Sequence, residues 1–181
     1  DGFPFVGDEL FLPKPYMKIK GVDDGSSDQS VARIENFQSK YSFIKIIRQE
    51  HKGAGVARNN GVLSARNKYL AFLDADDLYS SATILNKMVA ACENGKKSIC
   101  GCAFWYLLEN GMKYKKSVID CVGEEFKGET EICFRDWQND YGYTNFIFEK
   151  EFLIVNNIEF PEYKRYEDPV FFLKAMCYNL M

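Results

Sequence analysis

The feature that most constrains this chain is an alternation. Short β-branched stretches end on acidic residues, and each is followed by a turn and a helical pattern. Lys18-Ile19-Lys20-Gly21-Val22 reads as a strand and runs into Asp23-Asp24-Gly25-Ser26-Ser27-Asp28, a cluster of turn formers. Gln29 to Tyr41 then carries Val31, Ile34, Phe37 and Tyr41 at helical spacing, with Asp28 or Ser27 as its cap. Phe43 to Gln49 reads as a second strand, His51 to Gly55 as a loop and Val56 to Ala65 as a helix. Tyr69 to Leu73 is a third strand that ends at Asp74-Ala75-Asp76-Asp77, and Ala82 to Cys92 a helix closed by Asn94-Gly95. Such alternation predicts an α/β fold with a mostly parallel, doubly wound sheet flanked by helices.

The second half changes character. Ser98 to Glu109 and Met112 to Val118 flank Asn110-Gly111, a type I′ hairpin signal. Residues 120–140 read as loops with a short helix, Asn145 to Phe148 as a short strand and Lys150 to Asn156 as a short helix. Asp168 as cap and Pro169 at the first helical position open a last helix that runs to about Tyr178. The expectation is one domain over residues 1–181, with halves at about 18–95 and 96–181.

A chain of 181 residues can bury roughly 70% of its unfolded surface. The net charge of −3 argues against nucleic acid as a partner, although a nucleotide neutralised by a metal stays compatible. The six cysteines include no C-x-x-C pair and read as reduced thiols, which points to a cytoplasmic location. No apolar run reaches the roughly 20 residues that cross a bilayer, and the first residues do not form a signal peptide. A soluble protein, or one peripheral to the inner face of a membrane, is expected.

Open parallel sheets bind ligands beyond the carboxyl ends of their strands, where Asp23-Asp24 and Asp74/Asp76/Asp77 fall. Carboxylates are hard oxygen ligands suited to Mg²⁺ or Mn²⁺, and one strand end suffices if a diphosphate supplies further oxygens. The competing reading of Asp74 to Asp77 is a solvated turn that caps the next helix. Gly53-Ala54-Gly55 precedes a helix bearing Arg58, a combination that favours an anion, although the stretch is neither a P-loop nor a G-x-G-x-x-G loop. An ordinary loop with Arg58 on a solvated face is the alternative. His51, the single histidine, reads as a loop or substrate-edge residue, since no G-x-S-x-G elbow accompanies it. Glu167-Asp168 reads either as a helix cap or as the source of a general base.

Taken in order, four stretches resemble family 2 glycosyltransferases of the GT-A fold. They are Val22 to Asp28, Gln49 to Asn59, the Phe72-Leu73-Asp74-Ala75-Asp76-Asp77 stretch with its D-x-D pattern, and Glu167-Asp168. Phe146 to Pro161 is similar to that family's acceptor-side segment. The strand and long helix with which the family opens are not recognisable in residues 1–17. The resemblance implies an inverting, metal-dependent hexosyltransferase. It would move a sugar from a nucleotide-diphosphate donor, UDP-linked by preference, to a saccharide or lipid-linked acceptor hydroxyl in surface polysaccharide or glycolipid synthesis. By position it implies that Asp24 hydrogen-bonds the donor's base, with Asp23 supporting that loop. Arg58 would lie near the nucleotide or its phosphates, Asp74 on the ribose and Asp76 on the metal. Asp168 would be the catalytic base, with Glu167 beside it. Trp137, Tyr141, Tyr143, Thr144 and Asn145 could meet the acceptor or serve as core and loop residues. Two other classes remain: a non-catalytic nucleotide-sugar-binding domain, and a nucleotidyltransferase, which would need a Gly-rich phosphate loop.

Overall fold

The computed structural model describes residues 17–79, 81–102, 106–107, 113–114 and 142–179. The order begins with β1 (Ile19–Asp23), α1 (Ser30–Lys40), β2 (Ile44–Arg48), α2 (Ala54–Ser64), β3 (Tyr69–Ala71), α3 (Ile84–Gly95) and β4 (Ile99–Gly101). It continues with β5 (Tyr106–Leu107), β6 (Lys113–Tyr114), a 3₁₀ turn (Tyr143–Asn145), β7 (Phe146–Glu149), α4 (Lys150–Val155) and α5 (Glu167–Tyr178).

β1 and β2 pair in parallel from Ile19↔Ile44 to Asp23↔Arg48, as the alternation requires. Adjacent strand residues point to opposite faces. A Cβ on Gly21 would meet Ile34 of α1 at 3.4 Å, whereas Val22 packs against Gly61 of α2. The two helices therefore cover opposite faces of the ribbon, which is the doubly wound arrangement. An ion pair between Arg48 and Glu35 ties β2 to α1.

β3, β7 and β4 form a second sheet in that spatial order, with β7 antiparallel to both neighbours. β3 and β4 thus run the same way, and a strand from the second half of the sequence lies between them. Residues 98–109 do not form one continuous strand. β4 joins β7, while β5 pairs with β6 through Tyr106↔Tyr114 and Leu107↔Lys113. A two-residue turn on Asn110-Gly111 would pair 107 with 114, so the observed register is one residue away from it; the turn itself lies outside the described residues, as do residues 120–140, Trp137 and Tyr141.

The core that supports the site is aromatic. Tyr143, Phe148, Phe160, Phe171 and Phe172 are buried with Leu153, Ile158, Ala175 and Met176, and Phe72 packs against the cluster. Phe72 meets Tyr143, Phe148, Phe160 and Phe171 edge to face, and Phe160 stacks on Phe171 with centroids 3.8 Å apart. Edge-to-face pairs fix ring orientation beyond simple burial. The backbone that leaves β3 through Phe72 toward Asp74 is held accordingly.

Helix ends differ from expectation in three places. The cap position of α1 belongs to Gln29 and not to Asp28 or Ser27, although Asp28 Oδ1 accepts the Ser30 N–H at 2.9 Å. α3 closes on Lys96 in the left-handed region (φ 50°), one residue after Gly95. α5 begins at Glu167, so Asp168 is its second residue and Pro169 its third. The cap position belongs to Tyr166, and no side chain caps the helix. Asp168 lies inside the first turn, past the cap position, and its carboxylate accepts from Arg58 instead.

Candidate functional site

Two carboxylate centres lie at the ends of β1 and β3. At the first, Asp23 Oδ1 accepts the Ser26 N–H at 3.1 Å and closes the turn. Asp24 points at the loop that enters α2. Its Oδ1 accepts from the Gln49 amide at 2.6 Å and from the Lys52 N–H at 2.8 Å, and its Oδ2 accepts the Gly53 N–H at 2.9 Å. His51 Nδ1 lies 2.9 Å from Oδ2 and 3.0 Å from the Asp24 carbonyl oxygen. Both neighbours are acceptors, so that nitrogen carries the proton. Four donors fill about four lone-pair sites, and the anion at the start of α2 is the chain's own Asp24.

Gly53 permits the approach: it occupies the cap of α2 at φ 97°, a backbone that side-chain-bearing residues rarely adopt. Burial pushes the Asp24 carboxyl up, but the Lys52, Gln49 and Gly53 hydrogen bonds and neighbouring His51 outweigh it and hold the group below its ordinary value. Gln49 in turn accepts from the Asn60 amide at 2.6 Å, which links the loop to α2.

The second centre is organised by Arg58. Its Nη1 donates to Glu167 Oε1 at 2.9 Å and to Asp168 Oδ1 at 3.1 Å, and its Nη2 to Asp74 Oδ1 at 3.2 Å. The guanidinium carbon sits 5.1 Å from the Tyr143 ring centroid and 5.4 Å from that of Phe160, a cation–π setting. The Tyr143 hydroxyl donates to Asp74 Oδ1 at 3.0 Å. One planar cation thus joins the end of β3 to the start of α5. Its own side chain is 18% exposed, while Asp74 and Asp168 are 41% and 40% exposed and remain open to a ligand. Desolvation pushes the Asp168 carboxyl up, and Glu167 and Asp74 add to this. Arg58 pulls the other way without cancelling it, so the group sits above its ordinary value. An upward shift makes the carboxylate a better proton acceptor, the direction a general base requires.

Asp76 is exposed and Asp77 donates its N–H to the Asp74 carbonyl at 3.1 Å, closing a turn. Desolvation and the charges of Asp74 and Asp76 raise the Asp77 carboxyl. The turn does not cap α3, which starts at Ile84 behind Thr83 without a side-chain cap. Among the described residues no group of three or more His, Cys, Asp or Glu is placed to hold a metal by itself. Carboxylate crowding at this turn nevertheless fits a shared cation, because Mg²⁺ commonly takes one or two protein carboxylates and completes its shell with water and phosphate.

The residues singled out from sequence therefore fall into two groups and one outlier. Arg58, Asp74, Glu167 and Asp168 come together, whereas Asp23 and Asp24 form a separate centre and Asp76 stays on the exposed turn. Among the described residues, the guanidinium of Arg58 donates its hydrogen bonds to carboxylates. Sequence reasoning assigned no part to Gln49 or Asn60, or to the clasp between α2 and residue 160. There Asn59 donates to the Phe160 carbonyl at 2.8 Å and accepts its N–H at 2.9 Å. Gly55 lies beneath it, where a Cβ would stand 2.6 Å from the Pro161 carbonyl oxygen. Asn59 and Gly55 lie in the stretch that carried the resemblance, but their partners at residues 160 and 161 are distant in sequence. Tyr166 holds φ 64°, uncommon for a tyrosine and costing about 1–3 kcal/mol where such strain occurs.

Comparison with known proteins places this geometry. The chain is 29% identical over 152 residues to the uncharacterized glycosyltransferase EpsJ of Bacillus subtilis (strain 168), covering 78% of this chain and 43% of that protein. It is 28% identical over 169 residues to the cholesterol galactosyltransferase of Borreliella burgdorferi, covering 85% of this chain and 46% of that one. The chain thus spans less than half the length of these relatives. Its fold matches the crystal structure of S. aureus TarS 1-349 in complex with UDP-GlcNAc, with a TM-score of 0.72 at 24% identity over 93% of this chain and 47% of that one. The family model of glycosyl transferase family 2 matches residues 13–155, most of the chain, and with the GT-A-like fold this shows that the protein belongs to glycosyl transferase family 2.

Proposed function

We propose that this domain transfers a sugar, with inversion, from a UDP-linked donor to the hydroxyl of a saccharide or lipid-linked acceptor. The observation that carries the reading is the Arg58 clamp. It holds Asp74, at a strand end suited to a donor, within one guanidinium's reach of Asp168, a partly exposed carboxylate shifted upward. Donor and acceptor chemistry thereby share one centre, and positioning of this kind supplies much of a transferase's acceleration.

In this reading Asp168 accepts the proton of the acceptor hydroxyl as its oxygen attacks the anomeric carbon. The bond to the nucleoside diphosphate breaks on the opposite face, and the configuration inverts. Arg58 keeps Asp168 aimed and offsets part of the negative charge around it. Asp74 faces the ribose, and Asp76 would be a ligand of a divalent cation, Mn²⁺ or Mg²⁺. When bound, such an ion neutralises charge on the leaving diphosphate. The UDP-GlcNAc held by TarS supports the donor class, and the absence of any long apolar helix among the described residues is compatible with a domain that works in water or at a membrane surface.

The test is sugar release and transfer from a panel of UDP-sugars with Mn²⁺ or Mg²⁺. Asp168→Asn is expected to lower kcat by about 10²–10⁴-fold and Asp76→Ala to abolish turnover, with folding retained in both. Full turnover in both variants would refute the mechanism. A binding-only domain is the second reading, and in both readings the four donors on Asp24 leave no acceptor site for a uracil N–H unless His51 yields its place. His51 is the replaceable donor because its side chain is 84% exposed. Calorimetric binding of UDP with no transfer to any acceptor would select that second reading.

A further inference from the structure

We propose that Tyr143 is a positioning residue of the donor site: its buried hydroxyl holds one oxygen of Asp74 so that the other is presented to a vicinal diol, the 2′- and 3′-hydroxyls of the donor's ribose. This rests on the reading that Asp74 faces the ribose, and it names the residue on which preference for a ribonucleotide depends.

The two oxygens of Asp74 are treated differently. The Tyr143 hydroxyl donates to Oδ1 at 3.0 Å, and Arg58 Nη2 donates to the same oxygen at 3.2 Å. Among the described residues Oδ2 accepts no hydrogen bond, and the Asp74 side chain is 41% exposed. One oxygen is thus held by the protein while the other faces a ligand. A carboxylate oxygen has two lone pairs, enough for the two hydroxyls of a cis diol. The two donors on Oδ1 are not equivalent. Arg58 also binds Glu167 and Asp168, so its position answers to α5 as well as to Asp74. Tyr143 is neutral, so it orients Asp74 without cancelling the charge that strengthens a hydrogen bond from the ligand.

The packing fixes where that hydroxyl sits. Tyr143 is 3% exposed, and its ring meets Phe72, Phe160 and Phe171 edge to face. Among the described residues of this core, every other aromatic is a phenylalanine. Packing alone is met by phenylalanine, and a buried hydroxyl is costly without a partner. Phe72 lies two residues before Asp74, so the ring that carries the donor is registered against the segment that carries the acceptor. On the other side, β7 follows the turn of Tyr143 and pairs Ile147 with Ala71 of β3. Both ends of the hydrogen bond are therefore anchored to one strand pair. Gly142 opens the turn at φ 86°, where a Cβ would also stand 2.7 Å from Asn145 Nδ2. Burial pushes the Tyr143 phenol up, and the charges of Asp74 and Asp168 add to this against the pull of Arg58, so the hydroxyl keeps its proton and donates.

The test compares UDP with 2′,3′-dideoxyuridine diphosphate by calorimetry in the presence of Mn²⁺, in the parent, Tyr143→Phe, Asp74→Asn and the double variant. Phenylalanine keeps the ring beside Arg58 and removes only the hydroxyl. The parent should bind UDP at least about tenfold more tightly than the dideoxy nucleotide, and Tyr143→Phe should bring the two within about threefold by weakening UDP. Partial unfolding lowers both apparent affinities by the same factor, so the ratio reads the site even in a destabilised variant. In the Asp74→Asn background Tyr143→Phe should not change the ratio further, because the hydroxyl acts through Asp74. In transfer assays Tyr143→Phe should raise the donor KM and leave the acceptor KM as in the parent. Tyr69→Phe, which removes a hydroxyl at the start of β3, is the control and should keep the ratio. An unchanged ratio in Tyr143→Phe, or an equal loss for both nucleotides, would overturn the proposal and leave the transferase reading standing. So would a parent that transfers sugar from a UDP-linked donor without distinguishing the two nucleotides, since Asp74 would then not meet the ribose. A ratio that collapses in Tyr143→Phe, with no transfer to any acceptor, would sustain the proposal and refute the transferase reading. Absence of UDP binding would refute both.

Discussion

Asp24 and Asp168 are both carboxylates at the candidate site, yet the chain treats them in opposite ways. Asp24 is saturated by amide, backbone and imidazole donors from residues 49–53, and its proton affinity falls. Asp168 shares a single guanidinium with two other carboxylates, stays half open, and its proton affinity rises. A carboxylate with every lone pair engaged preorganises a loop. One that is under-satisfied and crowded by like charge is suited to exchanging a proton. The division of labour between the centres lies in the count and charge of donors, not in residue type.

The largest effect should come from removing the cation common to the second centre. Arg58→Met leaves Glu167, the most buried of the three, without its counter-ion, and leaves Asp74 and Asp168 repelling one another. Breaking such a network costs about 3 kcal/mol, so the midpoint of urea denaturation should fall markedly and transfer should drop with it. A variant as stable as the parent would mean that the clamp is a surface contact, and the contrast with Asp24 would lose its basis.

The next effect separates two glycines of α2. Gly→Ala in a helix interior gains up to about 1 kcal/mol from propensity. At Gly61 the added Cβ would meet Val22 at 3.6 Å, an ordinary contact, so Gly61→Ala should be neutral or mildly stabilising. At Gly55 it would meet the Pro161 carbonyl oxygen at 2.6 Å, and backbone cannot rotate away. Overpacking of this kind costs about 1–3 kcal/mol and outweighs the propensity gain. Because Phe160 is the shelf beneath Arg58, Gly55→Ala should lower transfer as well as the melting temperature.

These long-range contacts also mark where sequence reading stops. β1, α1, β2 and α2 were legible because their periodicity lies within single windows, and Asp24, Asp74 and Asp168 because strand ends and helix starts are local events. The insertion of β7 between β3 and β4 was not legible, since an antiparallel pairing from Tyr69↔Glu149 to Ala71↔Ile147 is distant in sequence and leaves no trace in either strand's own pattern. Nor was the destination of Arg58. Its charge reads equally as a phosphate ligand or a solvated face, and only the packing of α5 brings Glu167 and Asp168 to it. Tyr143 could be seen as an aromatic near the acceptor half, but not as a donor to Asp74. Tyr166 gave no signal of its left-handed backbone, a conformation that a glycine or asparagine would have advertised.

The smallest effect tests the opening contrast by sign. Asp24 is held below its ordinary value of 3.8 in the folded chain. Its contribution to stability is therefore fully present above that value and is lost as pH falls through the folded one. Asp24→Asn should cost about 2 kcal/mol at pH 7, from hydrogen bonds that no longer reach a charge, and the difference from the parent should close in acid. Asp168 is shifted upward from the same ordinary value, so the sign reverses. Its favourable contribution is present below 3.8 and is lost as pH rises through the folded value. Asp168→Asn should leave the denaturation midpoint at pH 7 unchanged or slightly higher, even though it removes a partner of Arg58 and the proposed proton acceptor. Urea melts of both variants and the parent from pH 3 to pH 7 give the comparison directly. Parallel losses in the two variants would mean that both carboxylates serve the fold alone. Opposite slopes would mean that the chain forgoes stability at Asp168 and keeps it at Asp24, as expected when only one of the two must change its protonation in use.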